Sequence, residues 1–589
     1  MALSIADLGL KFSWSRSLLK PCFSLSNSST KVSYTSRIKC SASDDARRSG
    51  NYPPPIWNHD LLQSLSSNFK GDNCSKHASD LRENVRNLLN KGNTDSLHAL
   101  ELIDTIQRLG VGYHFEDEIK RTLEFVYNND DNLSCLDLYA TSLRFRILRQ
   151  HNFYVPQDAF NGFMDESGKF KATLGKDMKC MLFLYEASYL STKDEKIMDE
   201  ARNFAEKQLK DYIDNISDQN GKLCTLVSHA LELPLHWREP RHEARWFIDF
   251  YEASAPSKHR DNSLLLDFAK LDYNMVQFIY QNDLKHMSRW WKGIDWGNKL
   301  SFARDRLMEC FCWSVGYNSK PEFVYGRRVL TACNAFITTI DDIYDIYATL
   351  EELELLTKSL KRWDSTELDQ LPDYMKVCFT VFYNEINEIA DVAERKYGVS
   401  ILPYFQKAWK DIFESYLLEA RWYHSGYKPS LSEYLNNAWI SISTPVVLTH
   451  AYFLTANSIS EEALQCLMSY PNIVRLPATI LRLADDLGTS SSEIERGDVP
   501  KSIQCYMKEK DVSEEEARKH ISYLISETWK EVNEEMLVAE SPFPKAFTDM
   551  CLNLARISVT MYRHGDSHGA PTSLDKHRLS LLFVDPCPL

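Results

Sequence analysis

An all-α protein of two helical domains is what this sequence predicts, on three observations. Glycine and proline are sparse, at 20 and 21 of 589 residues. Apolar residues recur at three- and four-residue spacing instead of alternating: Leu97, Leu100, Ile103 and Ile106 form one stripe, and Leu264, Phe268, Leu271 and Met275 another. The chain is also too long for one ordinary hydrophobic core, so two folded units and an N-terminal extension are expected. No repeat of fixed period is visible, which argues against a solenoid.

In chain order, the first 43 residues stand apart: Lys11, Arg16, Lys20, Lys31, Arg37 and Lys39 face a single acid, Asp7, and serine dominates. A basic, Ser-rich, acid-poor leader is the signature of an organelle transit peptide, and the heavy serine content points to a plastid, here over 1–46. Setting aside the six positive charges and one negative charge of the first 43 residues moves the formal net charge from -14 to -19. That balance argues against nucleic acid or an anionic membrane as partner, and an anionic substrate would need local cations to recruit it.

Residues 47–58 form an arm in which three consecutive prolines enforce an extended path. The first helical domain is expected over 59–262 and the second over 263–589, divided near the polar stretch 253–262. Turn residues also cluster at 165–168, 214–221, 317–321 and 425–432. The stretch Tyr434 to Ser460 carries no charge, but it is too polar and too broken for a lipid span and reads as a buried helix. Within it, Pro445 is expected to kink that helix and free backbone carbonyls. The 14 cysteines are scattered with no C-x-x-C, so neither a zinc site nor a disulfide framework is indicated.

Two acidic ladders in the second domain carry the chemistry. Asp341 and Asp345 lie at i and i+4, on one face of a helix, with Asp342 beside them; Asp485, Thr489 and Glu493 repeat the pattern at i, i+4 and i+8. An acid-acid-x-x-acid pattern arises by chance on the order of once or twice in so acidic a chain, so one ladder alone would not suffice. The apolar run 335–340 leading into Asp341 changes the weighing, because carboxylates at the end of a greasy wall are costly unless paired or metal-bound. Two oxygen-rich faces closing on one cavity suit a trinuclear Mg2+ site that grips a diphosphate.

With these residues in view the chain resembles the plant terpene synthases, specifically the angiosperm monoterpene synthase group. Arg47-Arg48, eight residues and Trp57 match the family's tandem-arginine motif, and Arg304-Asp305-Arg306 its R-x-R motif. Asp341 to Asp345 matches the aspartate-rich motif, and Leu483 to Thr489 with Glu493 the second metal motif. The resemblance implies two α-helical barrels, the C-terminal one with the class I terpene synthase fold and the active site. It implies Mg2+ (three ions) or Mn2+ held by Asp341, Asp345, Asp485, Thr489 and Glu493, with Asp342 a weaker candidate. Arg304, Arg306, Arg482 and Lys501 would hold the diphosphate, together with Asp341 and Asp345 through metal. Trp313, Asn334, Tyr562 and His568 match positions lining the cavity of limonene-forming relatives, with His568 or the released diphosphate as proton acceptor. Arg47, Arg48 and Trp57 would cap the mouth.

The function so implied is that of a monomeric plastid-stroma enzyme ionising geranyl diphosphate, with isomerisation and cyclisation to a C10 product of the limonene or terpineol type. An acyclic outcome (myrcene, linalool), a sesquiterpene synthase using farnesyl diphosphate, and a chain-elongating prenyltransferase are the enzymatic alternatives. A helical binding protein with decorative acids is the non-catalytic one.

Overall fold

The computed structural model describes residues 47–91, 96–129, 137–215, 221–254, 260–365, 368–538 and 541–589. The expected leader lies outside the described residues. Among them every regular element is helical, apart from an isolated bridge between Met164 and Phe170. The all-α expectation holds, and both apolar stripes become buried faces. Leu100, Ile103 and Ile106 point inward from Ser96–Arg108, as do Phe268 and Leu271 from Arg260–Ile294 (α1). Each such side chain contributes about 1.5–3 kcal/mol of apolar burial.

The 35-residue helix α1 ties the two halves together. It packs on Asp72–Lys91 and Pro240–Ser254 toward the N-terminus, and on Leu307–Tyr317 (α2) and Val324–Asp342 (α3) toward the C-terminus. Residues 262 and 263, on either side of the expected division, sit in its first turn. One apolar cluster runs through both halves, from Leu100 through Phe268 to Trp409. Buried Asp283 on α1 fixes the register against α3 by accepting from Arg327 Nη2 at 3.0 Å and Arg328 Nε at 2.9 Å.

Among the other helices of the site-bearing half, five frame the site: Leu402–Ser425 (α4), Leu431–Ser441 (α5), Thr444–Thr455 (α6), Asn472–Arg496 (α7) and Lys545–Tyr562 (α8). Packing runs from α2 to α3, α6, α7, α8 and back to α2, so the helices close into a barrel, with α4 and α5 walling one end. Local sequence sets the helix limits. Ser430 and Glu433 form a capping box at the start of α5, and Gly426 and Gly497, at φ 67° and 80°, end α4 and α7 in the left-handed conformation.

The charge-free stretch differs from expectation in one respect. It forms two helices, α5 and α6, parted at Ile442 and at Ser443, whose φ is 71°. Pro445 does not kink a continuous helix. It stands in the first turn of α6, where an N–H would have no intrahelical acceptor in any case. Among the described residues no helix is long and apolar enough to cross a membrane.

Glu385 is buried behind this barrel with one hydrogen bond, from Trp290 Nε1 at 3.2 Å, and burial pushes its carboxyl up to about 7. Its folded-state value exceeds the ordinary 4.5, so folding is disfavoured progressively as pH rises from about 4.5 to about 7, and fully above that. Glu385→Gln keeps the acceptor and stays neutral. The variant is expected to melt higher than the wild type at pH 8, by up to roughly 3 kcal/mol of stability, with the gain vanishing toward pH 4.5. Thermal melts across that range check it.

Candidate active site

A cavity opens at the end of the barrel formed by α3, α4, the α5–α6 break, α7 and the C-terminal end of α8. Both acidic ladders line it: Asp341 and Asp345 from the end of α3 and the turn that follows, Asp485, Thr489 and Glu493 from α7. The first ladder is not plain α-helix. Helix α3 ends at Asp342, and Ile343–Tyr347 wind as a π turn in which Ala348 N–H reaches back five residues to Ile343 O at 3.0 Å. The wider turn still leaves Asp341 and Asp345 facing the cavity together.

Asp342 behaves differently. It is 0% exposed; Oδ2 accepts from the Arg304 backbone N–H at 2.7 Å, and Oδ1 forms an ion pair with Arg304 Nε at 2.9 Å. Burial pushes this carboxyl up to about 6 against the pull of Arg304. It holds an arginine in place and does not line the cavity. Asp486 plays the matching part on the second wall: fully buried, it pairs with Arg482 Nε at 2.9 Å and accepts from Tyr434 OH at 2.9 Å and Ser502 N at 3.0 Å.

Cations face the same space. Arg304 donates to Asp341 at 2.6 Å and lies over the Tyr52 ring, and Arg482 pairs with Asp485. Burial works against both charged forms, but the Asp342 carboxylate beside Arg304 and the Asp486 carboxylate beside Arg482 hold the guanidinium groups well above their ordinary range. Lys501 lies 3.9 Å from Glu493, whose charge likewise outweighs burial and raises the ammonium. Arg306 departs from expectation. Its guanidinium is spent on the carbonyls of Gly569 (2.9 Å), Pro53 (2.8 Å) and Asp305 (2.8 Å), so it pins the arm and the loop after α8 and does not reach the cavity.

Deeper along the barrel the lining turns aromatic and apolar. Trp313, Tyr317, Asn334, Ile337, Leu481 and Tyr562 line it, with the Trp313 and Tyr562 rings 6.0 Å apart. Asn334 stands two helical turns before Asp341 and donates to Cys310 O at 3.1 Å. His568 Nε2 lies 3.0 Å from Thr338 Oγ1. Because that hydroxyl donates to Asn334 O at 2.9 Å, the ring nitrogen is the donor, and Nδ1 is a buried acceptor with no hydrogen-bond partner among the described residues. Burial, then the charges of Arg304 and Arg306, keep this imidazole neutral, well below its ordinary range.

The arm crosses the mouth. Arg47 pairs with Glu352 at 2.7 Å, and Arg48 with Asp498 at 2.6 Å and with Asp345 O at 2.9 Å, so it bridges the π turn and the loop after α7. Trp57 does not cap the opening. It is 7% exposed and packed into the hydrophobic core, where it anchors the arm's far end. Tyr52, Tyr416, Glu419, Asp498 and Asp566 also line the cavity and were not legible in the sequence. Asp566 came nearest, in a short turn two residues before His568, whose N–H it accepts at 3.1 Å along with that of Gly569 at 2.6 Å.

The donor set fits hard divalent cations, because it is all oxygen and crowded with like charge. Burial, then Asp341, push the Asp345 carboxyl well above the ordinary range, a penalty that a bound cation relieves. Among the described residues no group of three or more His, Cys, Asp or Glu side chains is placed to hold a metal ion on its own.

Such an arrangement defines an all-α enzyme for a substrate with an anionic, metal-binding head and a hydrocarbon tail. Residues 292–531 match the terpene synthase family, metal binding domain, and residues 56–231 match the terpene synthase N-terminal domain. A (-)-alpha-terpineol synthase of Vitis vinifera is 54% identical over 92% of this chain and 91% of its own length. A limonene synthase with 2-fluorolinalyl diphosphate superposes with a TM-score of 0.89 at 42% identity, covering 92% of this chain and 100% of that one. The isoprene synthase of Populus x canescens, in complex with three Mg2+ ions and a thiolodiphosphate, gives 0.82 at 42% identity over 91% and 99%. Myrcene and gamma-terpinene synthases of Quercus ilex and Citrus limon, 51% and 50% identical over 94% and 95% of this chain and 92% and 94% of their own lengths, are named chloroplastic. The chain belongs to the terpene synthase family.

The Arg306 contacts give a direct test of the arm. Arg306→Ala removes its ties to Pro53 and Gly569, and faster cleavage of residues 47–58 under limited proteolysis is expected, with the helical melt shifted by no more than a few degrees.

Proposed function

We propose that this terpene synthase is a plastid-stroma, monomeric monoterpene synthase that ionises geranyl diphosphate and forms a C10 product of the limonene or terpineol type. The observation that carries this reading is the pair of oxygen ladders facing one cavity whose floor is aromatic. Asp341 and Asp345 on one wall and Asp485, Thr489 and Glu493 on the other would hold Mg2+, three ions by analogy with the isoprene synthase, or Mn2+ in its place. Bound there, the ions supply Lewis-acid neutralisation of the departing diphosphate.

The chain's own groups do the rest. Arg304, Arg482 and Lys501 present donors to the diphosphate oxygens, the two arginines as planar forks suited to bidentate contact. Leaving-group departure creates an allylic cation, and the faces of Trp313 and Tyr562 stabilise it without offering a nucleophile. Tyr52 and the arm close the mouth against water. For the last step, a limonene-type product loses a proton from the cation, whereas a terpineol-type product adds one enclosed water molecule and then loses a proton from it. His568 Nδ1 is a neutral acceptor for that proton on the cavity wall, and the released diphosphate is the alternative base. The similarity to a terpineol synthase and a limonene synthase supports the cyclic outcome. The similarity to myrcene synthases supports a second reading, in which the cation loses its proton before ring closure. The basic Ser-rich leader and the relatives named chloroplastic support the plastid.

Purified full-length protein given geranyl or farnesyl diphosphate separately, with volatiles identified by chiral gas chromatography, tests the reading. A C10 volatile from geranyl diphosphate is expected. Product from farnesyl diphosphate alone, or consumption of added isopentenyl diphosphate, would replace it with the sesquiterpene or chain-elongating alternative. Asp341→Ala is expected to lower kcat by about 10²–10³-fold, equal to roughly 3–4 kcal/mol of lost charge stabilisation. A chelator should abolish turnover of the wild type, with recovery when Mg2+ is returned.

A further inference from the structure

Glu419 belongs to neither acidic ladder yet lines the same cavity from α4. It is 4% exposed, and among the described residues it forms no ion pair. A carboxylate buried that deeply without a paired cation needs strong donors. Its Oε1 accepts from Ser441 Oγ at 2.5 Å and from Asn437 Nδ2 at 2.9 Å. Both donors lie in the last turns of α5, and Asn437 is tied a second time to α4, accepting from Ser415 Oγ at 2.8 Å.

The segment so held is the α5–α6 break. Ser441, Ile442 and Ser443 all line the cavity. Ser441 is the last residue of α5, and the break at Ile442 and Ser443 leaves its carbonyl among the C-terminal ones with no helical donor. A carbonyl dipole exposed there acts on whatever charge the cavity contains. The Glu419 charge also adds to that of Asp486 in raising Arg482 and to that of Glu493 in raising Lys501.

We infer that Glu419 is a positioning residue. By holding Asn437 and Ser441 it sets the height of the Ser441–Ser443 backbone against the substrate's carbon chain, and so partitions the carbocation among its products. This rests on the monoterpene synthase reading above. Competing cation fates differ by small energies, so a displaced turn is read more sensitively in the product ratio than in the rate.

The experiment compares the full-length wild type with Glu419→Ala, Glu419→Gln, Ser441→Ala and the Glu419→Ala/Ser441→Ala double variant on geranyl diphosphate and Mg2+. It records the ratio of the principal volatile to all others, with kcat and KM. Glu419→Ala and Ser441→Ala are expected to shift the ratio in the same direction by at least about threefold, with the double variant going no further than Glu419→Ala. Glu419→Gln, which keeps an acceptor oxygen toward Ser441, should shift it less. An unchanged ratio with only turnover lowered, or a double variant that adds the two single shifts, overturns the inference. If Glu419→Ala does not fold, Ser441→Ala and Glu419→Gln decide it by the same ratio. A wild type inactive on every prenyl diphosphate removes the underlying reading before any variant is compared.

Discussion

Crowding carboxylates at the end of a low-dielectric barrel is the constraint on which the rest of this structure depends. Like charges so placed repel strongly, and the protein answers with guanidinium groups buried in register: Arg304 between Asp341 and Asp342, and Arg482 between Asp485 and Asp486. In each pair one acid faces the cavity and its neighbour in sequence is sealed behind it. The sealed acids, Asp342 and Asp486, orient the arginines. The open acids face the cavity, and burial and the charge of Asp341 push the Asp345 carboxyl well above its ordinary range against the pull of Lys501.

Closing such a site requires elements from distant parts of the chain. The extended arm brings Arg48 to Asp498 and to the Asp345 carbonyl, roughly 450 and 300 residues away in sequence. Arg306, looking in sequence like a ligand-binding cation, serves the same closure by grasping the arm at Pro53 and the C-terminal loop at Gly569. The left-handed Ser443 opens a gap between α5 and α6, and Glu419 steadies the near side of it. The cavity is thus a polar mouth above an aromatic floor, an order suited to a molecule with a charged head and a greasy tail.

Much of this was legible from residue order because it is periodic. The helical class followed from three- and four-residue spacing, and the ladders from i, i+4 and i+8 positions, since a helix converts spacing into a shared face. The same reasoning failed where neighbours in sequence part company in space. Asp341 and Asp342 are adjacent, yet one lines the cavity and the other is wholly sealed; Arg304 and Arg306 flank one aspartate, yet only Arg304 reaches the cavity. Trp57, grouped with the arm's arginines by motif, belongs to the core. Glu419 carried no local signal, because a glutamate in a long amphipathic helix reads as surface until the facing helix is known.

The sequence by itself determined the helical class, the two acidic ladders and the family resemblance, because each depends on residue type at short, regular spacing. Tertiary structure alone decided which member of each adjacent pair faces the cavity, that the first ladder runs into a π turn, and that the charge-free stretch is two helices with a left-handed residue between them. Those outcomes depend on which far segments supply partners, as Arg304 does for Asp342 and α4 for Ser441, and no short window of sequence contains both sides of such a contact.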